Sequence, residues 1–356
     1  MKEKINLPSF LLEHLPWENE VNPIWLASTF ILRRNLSKYN FPPKMDGKQF
    51  EQTFNLLQNC LLKNPSLVHS ICLKAEEVSP LDKEFFFEHF LCMEGFQNTL
   101  SGQGFIIDPS SKFMAMLNIS DHLQLQLVDC TGKWEKIWNT LNELENTISA
   151  TLDFAFNSKF GYLASNPAYS GTGLTILIYL HLPALIHTKQ LEEILLKERA
   201  EDVTPSGMQG PMDELIGDLL VLRNTYTLGV NEENILHSLH SSAMKLMACE
   251  KTLRTHLKTQ DHGEMKDLVT RSYGLLMHSY QIQTKEALGA LSMMKLGLDL
   301  GWIEGITDQK LNEAFFLCRK SHLLHTLQNL TLSAEEILHK RAEFLHQRMQ
   351  GITLKI

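Results

Sequence analysis

Histidine is abundant, 15 in 356 residues, so metal chemistry is the first possibility to weigh. His237/His240 and His322/His325 fall at i, i+3 on helix-like segments, a spacing that can set two ligands on one face. Neither pair has the carboxylate of an H-E-x-x-H motif or a cysteine companion, so both read as surface histidines and no metal is expected. The six cysteines, Cys60, Cys72, Cys92, Cys130, Cys249 and Cys318, are scattered without a C-x-x-C pair. That argues against a zinc site or a disulfide framework and for reduced thiols in a cytosol. Anion binding is the second possibility. Ser170-Gly171-Thr172-Gly173 follows the short apolar segment Tyr162-Leu163-Ala164 and is expected to open a helix, where amides at Gly171, Thr172 and Gly173 could hold an anion. A tight strand-to-helix turn explains the same residues. Met293-Met294 reads as helix packing.

Arginine is the scarce residue. Nine are present, and the stretch from Asn35 to Glu198 has none. The formal charge is -8. An acidic chain without an arginine-rich face is a poor match for nucleic acid backbones or anionic membranes. A hydrophobic fraction of 44% with 21% charged residues fits a globular protein. The N-terminus leads into no signal-peptide core, and the most apolar run, Ile176 to Ile186, is too short to span a bilayer. A cytoplasmic protein without nucleic acid or membrane partners is the expectation.

The elements that must position such residues fall into two textures. Ile24 to Leu32 could be a strand, and Lys48 to Leu62 sets Phe50, Phe54, Leu57 and Leu61 at helical spacing. Gly104 to Ile107 and Phe113 to Leu117, joined by Asp108-Pro109-Ser110-Ser111, predict a hairpin. His122 to Val128 alternates leucine with polar residues, as a half-buried strand does. Trp134 to Phe156 predicts a long helix, and Arg199 to Pro211 a loop. Beyond Gly229, Glu232 to Leu257, Met265 to Tyr280, Thr284 to Leu298, Asp308 to Leu324 and Ala334 to Met349 read as successive helices. The expected organisation is an α+β domain over 1–230 and a helical domain over 231–356.

Several segments together resemble the ATP:guanido phosphotransferases, or phosphagen kinases, and among them the bacterial protein arginine kinases. Gly161-Tyr-Leu-Ala-Ser-Asn-Pro-Ala-Tyr-Ser-Gly-Thr-Gly-Leu-Thr175, then His181-Leu-Pro-Ala-Leu185, is similar to that family's G-Y-L-T-S-C-P-x-N-x-G-T-G-L-R and H-L-P-A-L. Asn118-Ile-Ser-Asp-His122 with Leu123-Gln124 resembles N-E-E-D-H-x-R, and Leu26-Ala-Ser-Thr-Phe-Ile-Leu-Arg-Arg-Asn35 resembles S-S-R-I-R-L-A-R-N. Ser206 to Pro211 falls where the family has R-G-x-x-G-E. Arg271-Ser-Tyr-Gly-Leu-Leu276 and the stretch from Lys285 to Gly301 match the protein arginine kinases. The resemblance implies an α+β fold, a guanido-kinase-like antiparallel sheet flanked by helices, followed by an all-helical C-terminal domain that dimerises. It implies a cytoplasmic homodimer, with a zinc-binding activator protein and Clp protease components as partners.

The family moves a phosphoryl group from Mg-ATP to a guanidinium nitrogen, stabilising its charge with a cage of arginines. Matched residue by residue, the cage positions here are Thr29, Ile31, Gln124, Thr175 and Ser206. The two glutamates of N-E-E-D-H are Ile119 and Ser120, the loop glutamate is Pro211, and the signature cysteine is Asn166. Asp121, Asp213 and Glu214 are the nearby carboxylates available to replace them. Ser28, His89, Gly207 and Gly210 match nucleotide-pocket positions. The phosphoarginine-sensing motif R-D-x-x-R-A keeps only Arg341 and Ala342, in Ile337-Leu-His-Lys-Arg-Ala342. Two readings follow: a pseudokinase kept as a regulator or scaffold with no cofactor, or an active protein arginine kinase that uses Mg-ATP. Arg33, Lys159 and Arg223 are the cations that could reach the cleft from elsewhere.

Overall fold

The computed structural model describes residues 7–15, 22–92, 95–96, 98–198, 200–208, 210–260 and 262–356. One eight-stranded antiparallel sheet organises the first part. Its strands are β1 (Trp25–Arg34), β2 (Ile71–Lys74), β3 (Gly104–Ile107), β4 (Phe113–Leu117) and β5 (Leu123–Asp129). A two-residue hairpin outside the sheet supplies β6 (Phe156–Asn157) and β7 (Gly161–Tyr162), and the sheet continues with β8 (Leu174–His181), β9 (Val203–Gly207) and β10 (Leu219–Asn224). The order across it is β2-β3-β4-β5-β1-β8-β10-β9, which puts β1 and β8 at the centre.

Alternation along each strand sorts side chains between two cores. Phe30, Leu32, Leu125, Ile176, Ile178 and Leu222 face one core, under helices α2 (Gly47–Leu62), α4 (Trp134–Ser149) and α7 (Glu232–Thr259). Ile31, Val128, Leu177, Tyr179, Leu219 and Val221 face the other. That face is covered by α3 (Pro80–His89) and by the C-terminal helices α8 (Gly263–His278), α9 (Thr284–Leu300), α10 (Asp308–Leu317), α11 (Lys320–Thr326) and α12 (Ala334–Arg348). A short first helix, α1 (Ser9–Glu13), packs Leu11 into the same core. Met293 and Met294 are buried in it, as expected.

The texture change near Val230 marks where the sheet's strands end, but the unit packed around the sheet continues through α7. Ile235, Leu239 and Leu246 of that helix belong to the core with β8 and β10. Its Glu250 accepts from the amides of Ala184 (3.1 Å) and Leu185 (2.9 Å) at the start of α5 (Pro183–His187), and from Arg254 Nε at 2.8 Å. Arg254 in turn donates to the carbonyl of His181 at 3.1 Å. The His-Leu-Pro-Ala-Leu segment is therefore clasped by an ion pair on α7.

Six local expectations differ from the structure. Ser170–Gly173 leads into strand β8, not a helix. The segment expected as a loop from Arg199 contains edge strand β9, paired to β10 through Val203–Gly207; Arg199 itself lies outside the described residues. The helix from Trp134 stops at Ser149, and Asp308 to Leu324 breaks at Cys318–Arg319 into two. The polar side of β5 is buried rather than solvated, because Gln126 donates to the carbonyl of Phe90 at 2.6 Å across the sheet face. His322 and His325 are buried, facing Glu88 and Asp82 across the α3–α11 contact. Among the described residues no helix is long and apolar enough to cross a membrane, and no group of three or more His, Cys, Asp or Glu could hold a metal.

His122 carries a pH consequence. Its Nδ1 accepts from the amide of Leu36 at 3.1 Å, so the ring must be neutral there, and burial pushes its pKa down to about 4. The unfolded chain protonates this group near pH 6.5, so its contribution is intact above that value and is lost as pH falls towards 4. Thermal unfolding followed from pH 7.5 to 4.5 should show stability falling by about 3 kcal/mol from this group. In His122→Asn the acid limb should be shallower.

Candidate active site

Four neighbouring strands present alternate residues to one stretch of the sheet. Ile31 on β1 lies opposite Gln126 on β5 and Thr175 on β8; Arg33 lies opposite Gln124; Arg223 on β10 lies opposite Leu177. Ile31, Arg33, Gln124, Gln126, Thr175 and Arg223 line a cavity of ≈ 30 Å³ together with Ser120 and Tyr169. Ile119, Ser120 and Tyr169 also line a wider recess of ≈ 490 Å³, with Asp121, Ser165 and Asn166 on its wall. Thr29 is fully buried one step deeper along β1. The sheet thus brings Ile31, Gln124 and Thr175 of the cage positions together.

Successive arginines on β1 go to opposite faces and do different work. Arg34 donates to Glu145 Oε1 and to the carbonyl of Thr172, both at 2.9 Å, with its guanidinium 3.5 Å from the Tyr162 ring centroid. Those bonds fix the glycine turn before β8. Arg33 points into the cavity, donates to Thr175 Oγ1 at 2.9 Å and lies 4.0 Å over the ring of Tyr169. Its Nε stands 3.9 Å from Asp121 Oδ2. Arg223 reaches the same cavity with an exposed side chain. Lys159 does not line it and lies 5.3 Å from the ring centroid of Phe160 on the β6–β7 hairpin.

Other assigned residues have structural partners. Ser28 accepts from Trp25 Nε1 at 2.9 Å, which turns its hydroxyl to the α7 side of the sheet. His89 is fully buried, contacting Ser111 O (3.2 Å) and His322 Nε2 (3.4 Å), and burial with the neighbouring His322 holds its pKa well below the usual range. The amides of Gly207 and Gly210 bond to each other's carbonyls. Gly171 donates to Tyr162 O and Thr172 to Thr227 O, so two of the three amides of the expected anion nest are already engaged by backbone. At Gly171, φ 106, a Cβ would meet Thr227 O at 2.1 Å, and at Gly173, φ 66, one would meet Arg33 O at 2.7 Å. These glycines serve close packing.

The carboxylates are committed too. Asp121 Oδ1 accepts from Asn35 Nδ2 and Ser165 N, each at 2.6 Å. Glu214 pairs with Lys285 at 2.6 Å on the exposed side, and Asp213 and Pro211 are exposed. Asn166 caps a turn through Ala168 N at 3.1 Å, and Ser206 donates to Val221 O at 3.4 Å on β9. Arg319, at the α10–α11 break, is buried; it donates to Glu88 O at 2.8 Å and reaches Met208 Sδ, just past β9, at 3.3 Å.

With the order of motifs fixed on one sheet face, comparison with known proteins is decisive. Residues 55–253 match the ATP:guanido phosphotransferase C-terminal catalytic domain, and residues 262–355 match the protein-arginine kinase McsB C-terminal domain. The chain belongs to the ATP:guanido phosphotransferase family. Within it the chain groups with protein-arginine kinases: it is 34% identical to that of Chlamydia pneumoniae, over 98% of this chain and 99% of the relative. It is 30% identical to that of Bacillus mycoides, over 94% and 96%. Lombricine kinase shares the fold at TM-score 0.57 and 16% identity, covering 70% of this chain and 72% of that one.

Tyr169 was hidden in the sequence, although a signal was there: it occupies the asparagine position of the family's C-P-x-N-x-G. Its ring supports Arg33. Arg341, kept from the sensing motif, is buried and donates to Cys318 O (2.7 Å) and Ile282 O (2.9 Å). Arg341→Ala should therefore cost about 2–4 kcal/mol by orphaning both carbonyls. Adding free phosphoarginine should leave the melting temperature of the unsubstituted chain unchanged; a rise would restore a sensing role.

Proposed function

We propose that this chain is a protein-arginine-kinase-fold protein that has lost phosphotransfer and acts as a regulator or scaffold. The observation that carries the reading is the neutral set Thr29, Ile31, Gln124, Thr175 and Ser206 at the five cage positions. A charged hydrogen bond contributes about 1.5–3 kcal/mol, and a single transition-state arginine is worth roughly 10³–10⁵ in rate. Five such losses need not add, but two suffice to suppress turnover.

The residues present do not fit Mg-ATP. The inner cavity of ≈ 30 Å³ has room for a water or two, and among the described residues the recess of ≈ 490 Å³ beside it has no Lys or Arg on its wall to hold a triphosphate. The amides of Gly171, Thr172, Gly207 and Gly210 are engaged, and His89 has no exposed surface. No step through the nucleotide is therefore assigned. By family analogy the partners would be a zinc-binding activator protein and Clp protease components, with the chain a cytoplasmic homodimer.

One observation favours the alternative, an active ATP-dependent protein arginine kinase. Arg33 and Arg223 line the cavity although neither occupies a cage position. Calorimetry with Mg-ATP, paired with phosphoarginine detection on an unfolded substrate protein, separates the two. The pseudokinase reading expects neither ATP heat nor phosphoarginine, with or without a candidate activator. Micromolar ATP binding with phosphoarginine above the no-enzyme control would sink it.

A further inference from the structure

A groove of ≈ 830 Å³ lies on the other face of the sheet, at its β9 edge. Its floor is Val203 and Pro205 on β9 with Leu222 on β10. Its walls are Leu195 and Leu196 of helix α6 (Leu191–Lys197) and Leu246 of α7. Leu222 and Leu246 belong to the core under α7, whereas Ile31 belongs to the core on the opposite face, so the sheet itself separates the groove from the cage positions. Leu196 is 75% exposed and Tyr226, on the rim, 54%, so apolar surface continues from the floor out to solvent. Uncovered apolar surface of this kind, edged by charge, is the mark of a docking surface.

Two features select what fits there. The first is that the sheet edge is closed to an added strand. Asp202 O accepts from Thr225 N at 2.9 Å, so the alternate residues Val203, Pro205 and Gly207 turn their main chain away from β10. The Val203 and Gly207 amides bond to Ala200 O (3.3 Å) and Gly210 O (2.8 Å), and Pro205 has no N–H. None of the three leaves a donor for strand pairing, so recognition falls to side chains, as when an amphipathic helix lies in an apolar groove. The second feature is charge. The segment from Glu192 to Asp202 carries five acids, Glu192, Glu193, Glu198, Glu201 and Asp202, against Lys197 and Arg199. Lys245 of α7 pairs with Glu198 at 2.7 Å, while Glu201, on the groove wall, has no ion-pair partner among the described residues. A second copy would bring its own formal charge of -8 against this rim, which disfavours self-docking and favours a basic partner.

We propose that this groove docks a basic amphipathic helix of a partner protein, its apolar stripe on Leu196, Val203 and Leu222 and its Lys or Arg side chains against Glu201 and the neighbouring acids. The inference goes beyond the proposed function and does not rest on it, because the groove shares no residue with the cavity at the cage positions.

Fluorescence anisotropy of the full chain with labelled peptides of about 18 residues tests it. The probe is a helix with leucines at i, i+3, i+4 and i+7 and lysines on its flanks. One comparator holds the same residues in an order without the apolar stripe, and another has glutamate for lysine. The ordered basic peptide should bind, and each comparator about ten-fold more weakly. Glu201→Lys and Leu196→Ser, both at exposed positions, should each weaken the probe about five-fold or more. Glu264→Lys, the same charge change at an exposed position on α8, should not. Equal weakening by Glu201→Lys and Glu264→Lys, equal binding of the stripe-free peptide, or no binding at about 500 μM would overturn the inference. A dimer in light scattering that Leu196→Ser turns into a monomer would also overturn it, assigning the groove to a second copy. Absent peptide binding leaves the proposed function standing, and phosphoarginine formed from Mg-ATP overturns that function without touching this inference.

Discussion

A sheet covered on both faces forces each strand residue to choose a core, and the rest of this protein follows from that choice. On β1 the alternation places Phe30 and Leu32 under α4 and α7, and Ile31 and Arg33 on the side of α3 and the C-terminal helices. The neighbours β5 and β8 hold that register through unbroken antiparallel pairing from Ser28 to Leu32. A one-residue slip would exchange Arg33 for Arg34 and bring the Glu145 partner to the wrong face. The site is therefore a property of register before it is a property of any side chain.

Much of the sheet was legible. Apolar runs at Gly104 to Ile107 and Phe113 to Leu117, with a turn between them, gave a hairpin whose strands carry those same limits. The helices beyond Val230 were legible because their apolar residues recur with helical period. What stayed hidden was set by neighbours distant in sequence. Gln124 and Gln126 look like a solvated face until the Phe90 carbonyl covers Gln126. Val203 to Gly207 looks like a loop because Pro205 and Gly207 are poor strand formers, and only pairing to β10 makes it one.

At the site, motif comparison identified which positions matter but not what their present occupants touch. Thr175 is a bare hydroxyl in the sequence; in the fold it accepts from Arg33, whose own position lies two residues past the last cage position of β1. Diagonal contacts across strands cannot be read from spacing along one strand. The glycine turn misled for a related reason. Gly171 and Gly173 carry the signature of an anion loop, yet they are glycines because a Cβ at either would collide with the Thr227 or Arg33 backbone.

Arg319 gives the two halves of the chain a shared part. Its guanidinium contacts α3 at Glu88 and Met208 just beyond edge strand β9, while its backbone belongs to the corner between α10 and α11. The helical half is thus not a cap resting on a finished sheet; it completes the wall beside the sheet's edge. A shift in the segment after β9 must displace that corner or break a buried charged contact, so the segment after β9 and the α10–α11 corner are coupled through Arg319.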